Sequence, residues 1–221
     1  MSKIIVLIGA PGAGKGTQAR KIEAELGVPQ VSTGDMFREI QNEDTPLAKE
    51  VKEILASGTL VTDEVTFEMV KERTLREDCA GTYILDGFPR TPVQAEMLEA
   101  LAEEQGKSIV AILIDVPFDN LEKRLVGRRS CPVCGEIYNV NFKPPKNEGF
   151  CNFHPEVALK HRADDTEDKV KIRLATYEEN TKPLIQYYDA SGRLERIDGT
   201  KQPEVIFSEL KKLIGVENAV A

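Results

Sequence analysis

Positive charge is in deficit: 29 Lys and Arg stand against 37 Asp and Glu, a net charge of -8. That balance argues against a general polyanion-binding surface, so no nucleic-acid partner is expected and any basic cluster has to be judged locally. Long apolar runs are missing as well. The first one, Ile4 to Ile8, is far too short to cross a bilayer and carries no signal-peptide cleavage pattern, so no membrane partner and a cytoplasmic location are expected. Cysteine is scarce and unevenly placed. Three of the four fall between Cys131 and Cys151 while Cys79 stands alone, which suggests a local metal site more than a disulfide framework. Internal repeats and low-complexity tracts are absent too.

What is present is a chain of 221 residues, 41% hydrophobic and 30% charged, enough to bury a substantial core as one domain with insertions. Apolar runs at Ile4 to Ile8, Tyr83 to Leu85 and Ile109 to Val116 read as strands, with weaker ones at Val28 to Val31 and Leu194 to Ile197. Helical patterns separate them. Ala13 to Leu26 suits a helix, Thr91-Pro92 is an N-cap followed by proline at the first helical position, and Ala95, Leu98 and Leu101 recur behind it. Thr166 to Tyr188 and Val205 to Ile214 also repeat at helical spacing. Strands alternating with helices imply an α/β fold with a mainly parallel, helix-covered sheet. Two stretches interrupt the alternation. Ser32 to Thr62 is polar with helical character, and Gly127 to Asp165 holds Pro132, Pro144, Pro145 and Pro155 and reads as a loop-rich subdomain needing its own staple.

Gly9-Ala10-Pro11-Gly12-Ala13-Gly14-Lys15-Gly16-Thr17 lies directly after one strand and before one helix. Glycines let backbone N–H groups curl around phosphate oxygens, the following helix offers its positive end, and Lys15 can reach the terminal phosphates. The generic phosphate loop has Ser or Thr after the lysine; here Gly16 takes that place and Thr17 follows. Next, Asp86 ends an apolar strand in Leu85-Asp86-Gly87-Phe88-Pro89-Arg90. Ligands gather at the carboxyl ends of strands in an open parallel sheet, so Asp86 faces the same crevice and can hold a hydrated Mg2+; the bland alternative is a turn former beside Gly87.

Cys131-Pro132-Val133-Cys134 and Cys151-Asn152-Phe153-His154 form two short pairs with sixteen residues between them, the spacing of a tetrahedral zinc site. Three thiolates and an imidazole close the coordination shell, so the metal is read as structural Zn2+ rather than catalytic. Buried free thiols or a redox pair at Cys131 and Cys134 are the alternatives, with His161 a poorer substitute ligand because it breaks the paired spacing. Cys79 is read as a small packed residue.

Taken in order, Gly9 to Thr17, Ser32-Thr33-Gly34-Asp35-Met36-Phe37-Arg38, Leu60-Val61-Thr62-Asp63, Asp86 to Arg90 with Gln94, Leu125-Val126-Gly127-Arg128-Arg129, Arg162-Ala163-Asp164-Asp165 and Asp198-Gly199-Thr200 resemble the adenylate kinase family in its long form with a cysteine-containing lid. The resemblance covers essentially the whole chain. It implies a P-loop nucleoside monophosphate kinase fold with a five-stranded parallel sheet: a core of 1–31, 63–126 and 166–221, an acceptor-binding insertion at 32–62 and a zinc-binding lid at 127–165. It implies ATP contacts at Gly12, Ala13, Gly14, Lys15, Gly16, Thr17, Arg128, Ile137, Tyr138 and Lys201, with Mg2+ on Asp86 through water. AMP contacts are implied at Thr33, Arg38, Thr59, Leu60, Val61, Gly87, Phe88, Pro89, Arg90, Gln94, Arg162 and Arg173, with Gln94 discriminating the base. Lys15, Arg90, Arg124, Arg128, Arg162 and Arg173 would surround the transferred phosphoryl group, giving two ADP from ATP and AMP. A monomer is the family expectation. The competing class is a nucleotide-binding regulatory module whose zinc subdomain docks a partner; the acceptor-side Arg90 and Gln94 favour the enzyme.

Overall fold

The computed structural model describes residues 2–215; Met1 and residues 216–221, the outermost parts of the expected core segments, lie outside the described residues. Strand β1 (Lys3–Ile8) is buried at every position after Lys3, as a strand covered on both faces must be. Helix α1 (Lys15–Leu26) starts two residues later than the pattern at Ala13 suggests, because Gly14 takes a left-handed φ of 101° that a helix cannot include. The second strand, β2, is Gln30–Ser32 rather than Val28 to Val31. Pro29, which has no N–H for a ladder, stands just before it and uses its carbonyl to accept from Ile84 N at 2.9 Å.

The first insertion is helical, as expected: α2 (Thr33–Ile40) and α3 (Pro46–Ser57), each capped by a hydroxyl, Ser32 onto Asp35 N and Thr45 onto Ala48 N. It is less polar than it reads, because Phe37, Val51 and Val61 form a small core of their own. Then follow α4 (Asp63–Thr74), β3 (Tyr83–Asp86), α5 (Pro92–Glu104), β4 (Ser108–Asp115) and α6 (Phe118–Val126). Thr91 caps α5 by accepting from Gln94 N at 3.1 Å, and Ala95, Leu98 and Leu101 are buried beneath it. The second insertion carries one antiparallel pair, β5 (Arg128–Ser130) with β6 (Ile137–Asn139), and is otherwise isolated bridges, turns and irregular chain. After it come α7 (Glu167–Thr176), α8 (Pro183–Ala190), β7 (Leu194–Asp198) and α9 (Pro203–Ile214).

The span Thr166 to Tyr188 is therefore not one regular helix. Pro183 cannot donate to a carbonyl one turn back, and the chain widens into a π turn over Tyr177–Thr181, with Lys182 N bonding Tyr177 O at 2.9 Å. Among the described residues the main sheet has five strands in the order β2-β3-β1-β4-β7, all parallel. Alternate residues of β1 serve opposite faces. Ile5 and Leu7 pack with α1, α6, α7 and α9, whereas Ile4, Val6 and Ile8 pack with α4, α5 and α8. The crossovers leaving the neighbouring strands β1 and β3 run in opposite directions, from β1 past β3 to β2 and from β3 past β1 to β4. The crevice at the carboxyl end of β1 is where ligands gather in such sheets. No helix of the described residues is long and apolar enough to cross a membrane.

Candidate active site

The carboxyl ends of β1 and β3 open into a cavity of 530 Å³ roofed by both insertions. Gly9 to Thr17 runs along its floor. A Cβ at Gly9 would sit 2.7 Å from Ile114 O, so this turn requires glycine. Gly14 serves as the N-cap of α1 without a side-chain bond, and the first N–H groups of the helix point to the cavity end. Lys15 Nζ bends back to Gly9 O at 2.6 Å and Ala10 O at 3.2 Å. Burial pushes its pKa down to about 8; Asp86 opposes the fall while Arg90, Arg173 and Arg128 add to it. Gly16, where the generic loop has a hydroxyl residue, faces Asp86: a Cβ there would lie 3.1 Å from Asp86 Oδ2. The departure from the generic pattern thus makes room for the carboxylate, which also accepts from Gln30 Nε2 at 3.0 Å.

On the far side, Gly87 gathers the acceptor-side groups. Its carbonyl accepts from Thr33 Oγ1 at 2.9 Å and from Arg90 Nε at 2.8 Å. A Cβ on Gly87, whose φ is +86°, would strike Thr33 Oγ1 at 2.7 Å. Gln94 is buried, with Oε1 accepting from Arg90 N at 2.7 Å and Nε2 donating to Asp63 Oδ1 at 2.8 Å. One lone pair and one N–H of that amide remain for a base. Arg38, Thr59, Leu60, Val61 and Pro89 line the same wall. Phe88 does not reach the cavity: it is buried in the core, 6.4 Å from the Phe67 ring.

Between the two walls stand Arg128, Arg162 and Arg173. Asp165, completely buried, holds two of them: Arg128 donates Nε to Oδ2 at 2.7 Å and NH2 to Oδ1 at 2.6 Å, and Arg173 NH1 reaches Oδ1 at 2.8 Å. Arg173 also pairs with Asp164 at 2.9 Å. Arg162 makes no side-chain hydrogen bond among the described residues, and burial together with the neighbouring Arg128 and Arg38 lowers its pKa. Arg90 and Arg173 are lowered too, each by burial first; Arg173 adds to the fall at Arg90, and Arg128 adds to the fall at Arg173 while Asp164 and Asp165 oppose it. Since guanidinium stays protonated, these shifts mark positive charge awaiting an anion. In a chain of net charge -8, that concentration of cations is a local choice.

Arg124 is set apart from this group. Both of its terminal nitrogens face Gly199 O at 3.3 Å, and burial alone lowers its pKa. Arg129 turns to the backbone of Val126 and Arg128. Lys201 lines the cavity, but its ammonium pairs with Glu209 at 2.6 Å. Ile137 and Tyr138 lie on the lid side of the cavity. Sequence reasoning gave no role to Asp165, Asp63, Phe142 or the π turn that brings Tyr177 and Thr181 to the cavity wall. Only the acidic pair in Arg162-Ala163-Asp164-Asp165 hinted at a carboxylate holding arginines.

The four residues expected to hold a metal come together. The donor atoms of Cys131, Cys134, Cys151 and His154 all lie within 4.8 Å of one another, and the cysteines are not in disulfides. Cys134 Sγ to Cys151 Sγ is 3.7 Å, and His154 Nδ1 is 3.8 Å from Cys151 Sγ and 3.9 Å from Cys131 Sγ. Ligands about 2.3 Å from a tetrahedral centre are about 3.8 Å apart, so the donor set fits zinc in both chemistry and spacing. Tyr138, buried, braces the cluster: its hydroxyl is 3.5 Å from Cys151 Sγ and accepts from Asn152 N at 2.9 Å. His161 stands outside the cluster. Cys79 is buried in the main core, beside Arg73 NH1 at 3.2 Å.

Comparison with known proteins agrees with this geometry. A family model described as adenylate kinase matches residues 7–193. A protein named adenylate kinase from Gloeobacter violaceus is 47% identical over 215 residues, 96% of this chain and 98% of that protein. A namesake from Clostridium perfringens is 46% identical over 212 residues, 96% of this chain and 98% of its own length. One from Thermotoga neapolitana is 45% identical over 217 residues, 97% and 98% of the two chains.

Proposed function

The chain belongs to the adenylate kinase family, a family of nucleoside monophosphate kinases, and from that membership we propose that it is an ATP:AMP phosphotransferase working by in-line transfer. The observation that carries the reading is the single cavity lined on one wall by Gly9 to Thr17 and on the other by Thr33, Arg38, Arg90 and Gln94, with Arg128, Arg162 and Arg173 between. A phosphate loop alone would hold one nucleotide. Two cradles facing one cation cluster suit two.

In this reading Gly12 to Thr17, Arg128, Ile137, Tyr138 and Lys201 hold ATP, while Thr33, Arg38, Thr59, Leu60, Val61, Gly87, Pro89, Arg90, Gln94, Arg162 and Arg173 hold AMP. The AMP phosphate oxygen attacks the γ-phosphorus and ADP leaves on the opposite side. The nucleophile is already ionised, so no general base is assigned. Lys15, Arg90, Arg128, Arg162 and Arg173 neutralise charge spread over the equatorial oxygens, and Asp165 holds two of those guanidiniums in place. Arg124, hydrogen-bonded to Gly199, fits a place along bound ATP better than one at the transferred group. Asp86 would hold Mg2+ through water, and the ion would supply neutralisation of phosphate charge. Cys131, Cys134, Cys151 and His154 would hold Zn2+, which supplies structure only, because four protein ligands leave no open position.

The division into a core of 1–31, 63–126 and 166–221, an acceptor insertion of 32–62 and a lid of 127–165 gives closure its purpose. Water is the competing nucleophile, and two roofs exclude it. We take the enzyme to act as a cytoplasmic monomer. The test is an acceptor panel: purified, zinc-loaded protein with ATP, Mg2+ and AMP, UMP, CMP or GMP. ADP formation strongest with AMP is expected; no ADP with any acceptor rejects the kinase, and a preference for another monophosphate rejects the assignment of AMP.

A further inference from the structure

Arg20 sits on α1 one turn beyond Gly16, and phosphoryl transfer as described gives it no role. Its guanidinium is divided between the two insertions. One nitrogen donates to the carbonyl oxygen of Gly135 in the lid, and the other donates to Asp35 Oδ2 in α2 at 3.0 Å. Gly135 is built for this contact: its φ is +69°, and a Cβ there would come within 2.5 Å of the guanidinium. The other oxygen of Asp35 accepts from Arg38 at 2.5 Å, and Arg38 lines the acceptor wall of the cavity. Arg38 and Arg20 together hold the Asp35 carboxyl well below the usual carboxylate range, against the burial that would raise it.

Among the described residues, no hydrogen bond or ion pair joins residues 32–62 directly to residues 127–165, and Arg20 alone donates to both. Arg38 of one insertion and Arg162 of the other are like-charged neighbours and repel each other. An acidic side chain on one roof and a carbonyl on the other, both satisfied by one guanidinium from the floor, offset that repulsion when no nucleotide is bound.

We propose that Arg20 is a latch that ties the lid to the acceptor-side insertion through Gly135 and Asp35, so that closure over one nucleotide favours closure over the other. The inference rests on the phosphotransfer reading above, and it makes Arg20 a positioning residue that acts through Arg38 and the lid backbone rather than on substrate. The planar fork matters, because its two terminal nitrogens are held apart on one rigid plane and reach acceptors on two separate elements, whereas lysine offers its donors from one point on a flexible stem.

The test combines kinetics and scattering on the full chain and its Arg20→Ala and Arg20→Lys variants. With a partly buried ion pair as the lever, KM for ATP and KM for AMP should each rise about three- to tenfold in Arg20→Ala, while kcat holds or increases. Arg20→Lys should resemble Arg20→Ala more than the parent. Small-angle X-ray scattering of the nucleotide-free proteins should give Arg20→Ala a larger radius of gyration than the parent, the two converging with saturating ADP and Mg2+. A KM change for one nucleotide only, or an unchanged radius of gyration, overturns the latch. A parent protein without turnover is a failure of the kinase reading instead, and the scattering comparison then decides the latch alone.

Discussion

The central sheet and the lid solve the same problem by different means. The sheet buries nearly every side chain of β1 and β3 between two layers of helices, and each fully buried Leu or Ile contributes about 1.5–3 kcal/mol. The lid has a cluster of Cys131, Tyr138 and Cys151 backed by Val157 and Leu159, while Val133, Phe142, Phe150 and Phe153 are exposed. So small a core cannot hold a shape alone; four metal-type ligands and the Tyr138 brace take its place. The lesson is that the parts which must stay still are built by burial, and the part proposed to move is built by local cross-links that travel with it.

The sharpest way to break this comparison is to separate activity from stability. Lys15→Ala removes a charge from the cavity floor without touching the packed layers, and should lower kcat by about 10²–10³-fold with no loss of melting temperature, since burial disfavours that charge in the folded protein. A near-parental rate would show that the floor does not bear on the transferred phosphate. In the sheet layers, Leu98→Ala should cost about 2–5 kcal/mol in urea unfolding, whereas Val133→Ala on the lid surface should fall within about 0.5 kcal/mol. Equal losses at both sites would contradict the contrast.

Removing the metal is the reciprocal experiment. Chelation verified by metal analysis should lower the melting midpoint by about 5 °C or more, with the first loss of amide protection confined to residues 127–165. An unchanged midpoint after verified removal would defeat the structural-zinc proposal.

The smallest effect is protonic. Lys15 has its folded-state pKa depressed from 10.5 to about 8, so the folded protein binds fewer protons than the unfolded chain across that window and this group's contribution to stability rises with pH through it. A bound triphosphate reverses the depression. Calorimetry of ATP binding near pH 8.5 in buffers of different ionisation enthalpy should therefore show uptake of about half a proton or more, absent in Lys15→Ala.

Most of this architecture could be read in the chain. The parallel sheet was legible because β1, β3 and β4 are continuous apolar runs, and the phosphate loop because glycine spacing and Lys15 report backbone geometry directly. The cluster of three cysteines and a histidine was legible for the same reason: Cys131 to His154 is a spacing, and spacing survives without coordinates. What was hidden depends on contacts between distant segments. Asp165 looks like any surface acid until the fold buries it between Arg128 and Arg173. Gly16 reads as a lost hydroxyl until Asp86 is seen beside it, and Arg124 reads as one more cage arginine until Gly199 is found facing it. The break at Tyr177–Thr181 could have been anticipated from Pro183, had its missing donor been weighed against the helical period.

The central claim is that one cavity brings a donor and an acceptor nucleotide to one set of cations. Its most direct test is the stoichiometry of a single reaction mixture of protein, ATP, Mg2+ and AMP followed by chromatography. The account predicts two ADP formed for each AMP consumed, with no release of inorganic phosphate. ADP formation that does not depend on AMP, or phosphate released in step with ADP, would contradict it.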